Sequence, residues 1–234
     1  MGDKRDIIFS WSSGKDSAYA LYQIIKSKEY RVRALLTTFN EKYDRVSMHG
    51  VRRDLVCRQA ASLGIFLEEV FIPDNCSGDE YGDIMAAVLK KYKNQAVDTV
   101  AFGDLFLDDV RAYREKQLSR LSMKAIFPLW ERNTSELIAD FFKDGFRAVL
   151  TCVDTDQLSA EFCGRELNSA MIKSFPETVD PCGEKGEFHS FIFDGPIFKG
   201  PIDYSCGEKT LRDKRFLFTD LVSARQFKPS LTDS

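Results

Sequence analysis

No two cysteines in this 234-residue chain stand at C-x-x-C spacing: Cys57, Cys76, Cys152, Cys163, Cys182 and Cys206 lie far apart. Without a recognisable secretory leader before them, they read as reduced thiols of a cytoplasmic protein. No apolar run approaches the roughly 20 residues of a membrane span. Charge of one sign is not in excess either. Lys+Arg 33 against Asp+Glu 36 leaves a net charge of -3, which argues against a dedicated nucleic-acid binder or a polybasic membrane binder. Repeats and low-complexity segments are missing. What is present is an ordinary apolar fraction, 44%, with 19 phenylalanines, so disorder is excluded. A chain of this length buries about 70% of its unfolded surface and needs no staple.

Short apolar runs alternate with helical patterns over the first two-thirds. Ile7–Phe9 ends in a Ser/Gly turn, and Ala18, Leu21, Ile24 and Ile25 then recur at helical spacing. Strands are expected at 32–39, 65–72, 99–102 and 125–129. Helices are expected from Val51 to a stop at Gly64, over 81–92 and over 110–121. Continuous apolar strands separated by helices imply a Rossmann-like α/β fold, a parallel sheet with helices on both faces. Ligands of such sheets bind beyond the carboxyl ends of the strands. Further on, Asn133 and Glu136 cap a helix that ends before Gly145, and strands follow at 146–153, 188–193 and 216–219. The expected division is an N-terminal domain over 1–128, a smaller C-terminal α+β domain over 129–226 and a tail over 227–234.

The sharpest local signal is Ser10-Trp11-Ser12-Ser13-Gly14-Lys15-Asp16-Ser17, between the first strand and the first helix. Small residues let backbone approach a ligand, while the helix N-terminus offers N–H groups and a positive dipole end to an anion. Ser12, Ser13 and Ser17 add hydroxyls, and Lys15 adds a full charge. Asp16 in an anion site implies a divalent cation, Mg²⁺, between its carboxylate and a phosphate. The segment is not a Walker A loop, because Phe9 stands at the first glycine position and Asp16 follows the lysine. G-x-G-x-x-G is absent too. The bland alternative is a serine-rich turn that caps a helix.

This loop resembles the S-G-G-x-D-S loop of the ATP-pyrophosphatase (PP-loop) superfamily, with Ser13 at the first glycine. Those enzymes split ATP between the α- and β-phosphates and adenylate a substrate oxygen. Ser47-Met48-His49-Gly50-Val51, Phe102-Gly103-Asp104-Leu105, Val153-Asp154-Thr155, Gly164-Arg165-Glu166 and Cys182-Gly183-Glu184-Lys185-Gly186-Glu187-Phe188-His189-Ser190 are similar to segments of the diphthine–ammonia ligase family. That resemblance spans nearly the whole chain. It implies an ATP-binding N-terminal domain, a C-terminal region over the substrate side of a cleft, and amidation of an adenylated carboxylate by ammonia. The 183–190 and 108–114 segments depart from the diphthamide-making members and look like a bacterial form, so the chemistry transfers more readily than the substrate.

On this reading Ser10 to Ser17 bind nucleotide, with Lys15 and Asp16 acting in catalysis and Asp16 as the Mg²⁺ ligand. Thr37 and Thr38 stand where related folds seat adenine or ribose, though threonine is ordinary in strands. Gly103 permits close backbone approach, and Asp104 is placed to ligate Mg²⁺ or orient the attacking group. His49 reads as a phosphate donor or general acid/base, or as a structural histidine. Gly183 and Gly186 allow turns that aim Glu184, Glu187 and His189 into one cleft for acid/base work or amine recognition, or else form a solvated turn. Arg165 is a carboxylate or phosphate clamp, or a surface salt bridge. Asp108 and Asp109 read as helix-start acids, and Arg52, Arg53 and Arg58 as a solvated helical face. The expected protein is a Mg²⁺- and ATP-dependent adenylating ligase that uses ammonia and a small or protein-borne carboxylate, with no nucleic-acid or membrane partner, and a homodimer. Its rivals are a tRNA-modifying PP-loop enzyme and a nucleotide sensor without turnover.

Overall fold

A computed structural model describes residues 3–47 and 50–224. His49 and the tail expected over 227–234 lie outside the described residues. The chain order is β1 (Arg5–Ser10), α1 (Lys15–Ser27), β2 (Tyr30–Asn40), β3 (Arg45–Val46), α2 (Arg53–Leu63), β4 (Leu67–Ile72), α3 (Gly78–Lys93), β5 (Thr99–Ala101), α4 (Asp108–Ser119) and β6 (Lys124–Ile126). Then come α5 (Thr134–Lys143), β7 (Arg147–Asp154), a 3-10 turn (Ala160–Phe162), α6 (Ser169–Lys173), β8 (Phe188–Asp194), β9 (Tyr204–Arg212) and β10 (Phe216–Ser223).

The first sheet runs β4-β2-β1-β5-β6, all parallel, and β3 adds two antiparallel residues at the end of β2. β1 is central, and Ile7, Ile8 and Phe9 are wholly buried. Because successive strand side chains face opposite ways, Ile7 and Phe9 enter one core while Ile8 enters the other. From β1 the chain winds outward through β2 and β4, then returns to β5 on the opposite side. The crevice at that reversal, between β1 and β5, is where the Ser10–Ser17 turn and Gly103 emerge. Gly64 closes α2 at φ 68°, the left-handed position of a glycine stop. Asn133 caps α5 by accepting from the Ser135 and Glu136 N–H groups.

The second sheet is antiparallel, in order β8-β7-β10-β9. The expected strands at 146–153, 188–193 and 216–219 are present, but β9 has no counterpart in the apolar pattern. Its residues are almost all exposed; β10 is its strand partner, and Tyr204 at its start packs on Phe191 and Phe193 of β8. The two sheets share one core. Tyr19 and Tyr22 of α1 meet Phe146 edge-on at 5.6 and 5.3 Å, and Phe146 stacks on Phe141 of α5 at 5.2 Å. Among the described residues no helix is long and apolar enough to cross a membrane.

Polar bonds fix the second sheet to the loop of the first. The Ile192 N–H of β8 donates to the Ser13 carbonyl at 2.9 Å. Gln59 of α2, fully buried, donates to both the Ser13 carbonyl (3.2 Å) and the Ile192 carbonyl (2.6 Å), and accepts from Trp11 Nε1 (2.9 Å). Elsewhere Asp220 of β10 takes Arg45 and Arg52, each at 2.7 Å, and their attraction holds its carboxyl down at about 2. Arg53 is taken by Glu69, so two of the α2 arginines are neutralised by carboxylates.

Replacing Gln59 by leucine leaves a buried indole N–H and a carbonyl without partners, at about 1–3 kcal/mol for each stranded group. The expected outcome for Gln59→Leu is a lower midpoint in urea with an unchanged slope, measured by circular dichroism; an unaltered midpoint would contradict the clamp.

Candidate active site

The turn after β1 is built from short contacts. Thr37 Oγ1 donates to the Trp11 carbonyl at 2.8 Å and bolts the turn to β2. Ser17 Oγ donates to the Gly14 carbonyl (2.9 Å), and Ser12 Oγ to Ser17 Oγ (3.1 Å). Ser13 sits at φ 69° with its hydroxyl buried and unbonded. That conformation costs a side-chain-bearing residue roughly 1–2 kcal/mol and suits the glycine that the related loop carries. Lys15, Asp16 and Ser17 form the first turn of α1, where N–H groups have no intrahelical partner. The Lys15 N–H goes to Ser190 Oγ of β8 at 3.2 Å.

This turn opens into a cavity of about 590 Å³ between the two sheets. Ser12, Lys15, Asp16, Ser17, Gly103 and Asp104 line one side; Asp154, Glu184, His189 and Arg215 line the other. Gly103 lies so close that an added Cβ would stand 3.0 Å from the Ser17 backbone, which explains a glycine there. A second cavity of about 530 Å³ adjoins it through Ser10, Ser12, Phe102 and Arg114, and is lined by Trp11, Thr38, Ser47 and Tyr81.

The main cavity is rich in carboxylates, and three of its cations, Lys15, Arg114 and Arg215, are paired with them. Lys15 Nζ holds both Asp16 oxygens at 2.6 and 2.8 Å. Burial opposes the Lys15 charge, but the surrounding acidic groups, Asp16 foremost, together outweigh it and the ammonium stays protonated. Burial likewise pushes the Asp16 carboxyl up, with Lys15 pulling it back only in part. Glu184, desolvated and facing Asp16, is pushed up to about 8. His189 is pushed down to about 4 by burial and by Lys15, so its imidazole is neutral at physiological pH. Arg114 pairs with Asp104 at 2.8 Å, and Arg215 holds Asp154 at 2.5 and 2.7 Å.

The structure brings together Ser10, Ser12, Lys15, Asp16, Ser17, Gly103, Asp104, Glu184 and His189, with Trp11 and Thr38 in the adjoining cavity. Glu187 departs from the expectation that all three side chains of its cluster enter one cleft. It is fully buried and accepts from the Asp180 and Lys185 N–H groups at 2.8 Å each, folding the Gly183–Gly186 turn around itself. Thr37 is turned into the structure by its bond to Trp11. Ser13 and Gly14 shape the turn from behind and do not line either cavity. Arg165 is exposed, its carbonyl accepting from the Leu150 N–H of β7 and its guanidinium over the Phe162 ring, and it lines neither cavity. Sequence reasoning missed Gln59, Arg114, Asp154 and Arg215. The Val153-Asp154-Thr155 segment was a signal for one of them, but a lone glutamine in a helix gives none. All six thiols are held above the ordinary thiol range, burial being the main cause, and none is an activated thiolate.

Two family models match the chain: the diphthamide synthase N-terminal domain over residues 5–125 and the diphthamide synthase C-terminal domain over residues 133–220. The mouse protein named diphthine–ammonia ligase is 23% identical over 225 residues, covering 86% of this chain and 83% of its own length. Its rat namesake is 26% identical over 153 residues, 63% of this chain and 57% of the rat protein. In fission yeast a protein of the same name is 26% identical over 126 residues, 52% of this chain but only 21% of its own length. The chain belongs to the diphthamide synthase family, a family of ATP-dependent ligases.

Proposed function

We propose that the protein adenylates a substrate carboxylate with ATP and then amidates it with ammonia. The observation that carries this reading is that the Ser12–Ser17 turn and the Glu184–His189 segment open into one cavity. The β- and γ-phosphates lie on the Asp16 and Ser17 N–H groups and the Ser12 and Ser17 hydroxyls, with the Lys15 ammonium beside them. The base extends into the adjoining cavity beside Thr38 and Tyr81. A carboxylate oxygen attacks the α-phosphorus, the bond to the bridging oxygen breaks, and pyrophosphate leaves with that electron pair. Charge builds on the departing oxygen, where preorganised donors and Lys15 stabilise it.

Mg²⁺ fits this cavity. No group of three His, Cys, Asp or Glu among the described residues stands ready to hold a metal alone, but Mg²⁺ at a nucleotide usually takes only one or two carboxylates besides phosphates and water. Asp16 would supply one of these, and the ion would neutralise charge on the phosphates. Ammonia attacks the acyl carbon and AMP leaves. Glu184 is suited to accept the proton given up by the nitrogen, since its affinity for protons matches neutral to mildly alkaline conditions. Neutral His189 acts as a hydrogen-bonding group rather than as a cation. Glu187 positions the turn that carries Glu184. In this reading residues 1–128 hold the nucleotide and residues 129–226 close the substrate side. His49 belongs to the same proposal as a phosphate donor. A sulfur-transferring reading has no activated thiol to draw on.

Asp16→Ala is expected to abolish AMP formation from ATP, read by chromatography, while the circular dichroism spectrum stays native; undiminished AMP release sinks the assignment. A second prediction concerns pH. Glu184 in the folded chain keeps its proton to about 8, against 4.5 ordinarily, so wild-type stability falls as pH rises through that window. Glu184→Gln removes the cost. Its melting temperature should exceed that of the wild type by a margin that is small at pH 5 and largest at pH 8 and above, at roughly 2–4 °C per kcal/mol relieved. The same variant should keep pyrophosphate exchange into ATP and lose at least tenfold in amide formation. A margin that shrinks with pH, or an unchanged amidation rate, counts against the role of Glu184.

A further inference from the structure

Lys15, Arg114 and Arg215 in the wall of the main cavity each face a carboxylate, Asp16, Asp104 and Asp154 in turn. Lys185 lines the same cavity and does not. It is exposed, and among the described residues no carboxylate lies within ion-pair reach of its Nζ. The three inner pairs each cancel their own charge, so Lys185 is the cation that an incoming anion meets unopposed.

Lys185 stands at the tip of a tight turn on the substrate side. The Gly186 N–H donates to the Gly183 carbonyl at 3.1 Å, which leaves Glu184 and Lys185 as the two residues of the bend. Buried Glu187 holds this bend from within. One of its oxygens accepts from the Lys185 N–H at 2.8 Å, the other from the Asp180 N–H at 2.8 Å. The Lys185 backbone is thus fixed while its ammonium stays unpaired. The two side chains at the tip differ in their surroundings: Glu184 is desolvated near Asp16, and Lys185 is open to solvent. Neighbouring Cα atoms stand about 3.8 Å apart, so a chain of a few carbons lying across the tip reaches both residues.

We propose that Lys185 sets the class of acceptor as a small dicarboxylate, one carboxylate reacting beside Glu184 and the other held by the Lys185 ammonium. A monoacid has nothing to offer Lys185 once its single carboxylate is committed to the α-phosphorus. The inference deepens the adenylating reading above and rests on it for the role of the first carboxylate. The hold on the second is a binding event that can be read without turnover. A nucleotide phosphate is the rival anion for Lys185, and measuring both affinities separates the two.

The test uses the whole protein with Mg²⁺ and α,β-methylene ATP. Succinate, glutarate and adipate are titrated by ligand-observed NMR, with butyrate, pentanoate and hexanoate as single-acid controls of matching carbon number. Expected is at least one diacid bound threefold or more tightly than its matching monoacid, the scale of a partly exposed ion pair. Lys185→Met should bring that diacid down to the level of the monoacid, while the affinity for α,β-methylene ATP stays within threefold. No binding by any diacid, equal binding of diacid and monoacid, or an advantage that survives Lys185→Met each overturns the proposal. So does a loss of nucleotide affinity beyond threefold in Lys185→Met, which assigns the ammonium to a phosphate. Should Lys185→Met not give a native circular dichroism spectrum, Lys185→Gln takes its place with the same expected and contrary results. If the diacid preference fails while AMP still forms from ATP, the adenylating reading stands and Lys185 alone loses its role. If the preference holds but the bound diacid elicits no AMP, the hold on the carboxylate stands and adenylation falls.

Discussion

The Ser13 carbonyl is the point on which this molecule turns. It is the oxygen of a phosphate-loop residue, yet it accepts from the second sheet through the Ile192 N–H and from α2 through Gln59. A loop that must offer its amides to an anion has to be held rigidly from behind, and here the rear contacts come from the part of the chain that also carries Glu184 and His189. Loop and acid cluster are therefore fixed against each other by buried hydrogen bonds, in surroundings where such bonds are costly to break. Ser13 adopts its left-handed conformation within this arrangement, and its unbonded hydroxyl is part of the cost.

From that fixed relation the electrostatics of the cleft follow. Lys15 is drawn inward to Asp16, and their pairing leaves Glu184 as the next carboxylate in a desolvated, negatively charged chamber, so Glu184 retains its proton. His189, facing Lys15, gives up its own. Two titratable groups on one short segment are thereby driven in opposite directions by loss of water, with the Asp16 charge adding to the rise at Glu184 and Lys15 to the fall at His189, a division common where acid and base roles must be kept apart. The positions of Arg114 and Arg215 continue the pattern: each borders the cleft with a carboxylate against it.

Much of this was legible in the residues. Ile7–Phe9 could be read as a strand buried on both sides because it is continuously apolar, and Ser10–Ser17 as an anion loop because small residues, a lysine and a helix start coincide there. Gly64 and Asn133 announced their helix ends by chemistry. Less visible was whatever depends on the second sheet. β9 has no apolar alternation, since β10 supplies its ladder bonds and solvent takes most of its side chains beyond Tyr204. Glu187 looked like a cleft acid because its spacing matches that of His189. The backbone of its own turn, however, offers two N–H groups that capture the carboxylate. Arg165, read by type as a clamp or a surface salt bridge, is exposed with its backbone beside Leu150 and lines neither cavity. Gln59, which ties loop, helix and sheet together, is invisible in composition or period because its role is set entirely by three partners distant in sequence.

The decisive observation is a crystal structure with α,β-methylene ATP, which keeps the scissile position intact. Expected is a triphosphate tail whose β- and γ-phosphates rest on the Lys15–Ser17 amides and the Ser12 and Ser17 hydroxyls, with the α-phosphorus exposed toward Gly103 and the base beside Thr38. A nucleotide bound elsewhere, or one whose tail leaves the loop and points into solvent, would contradict the account.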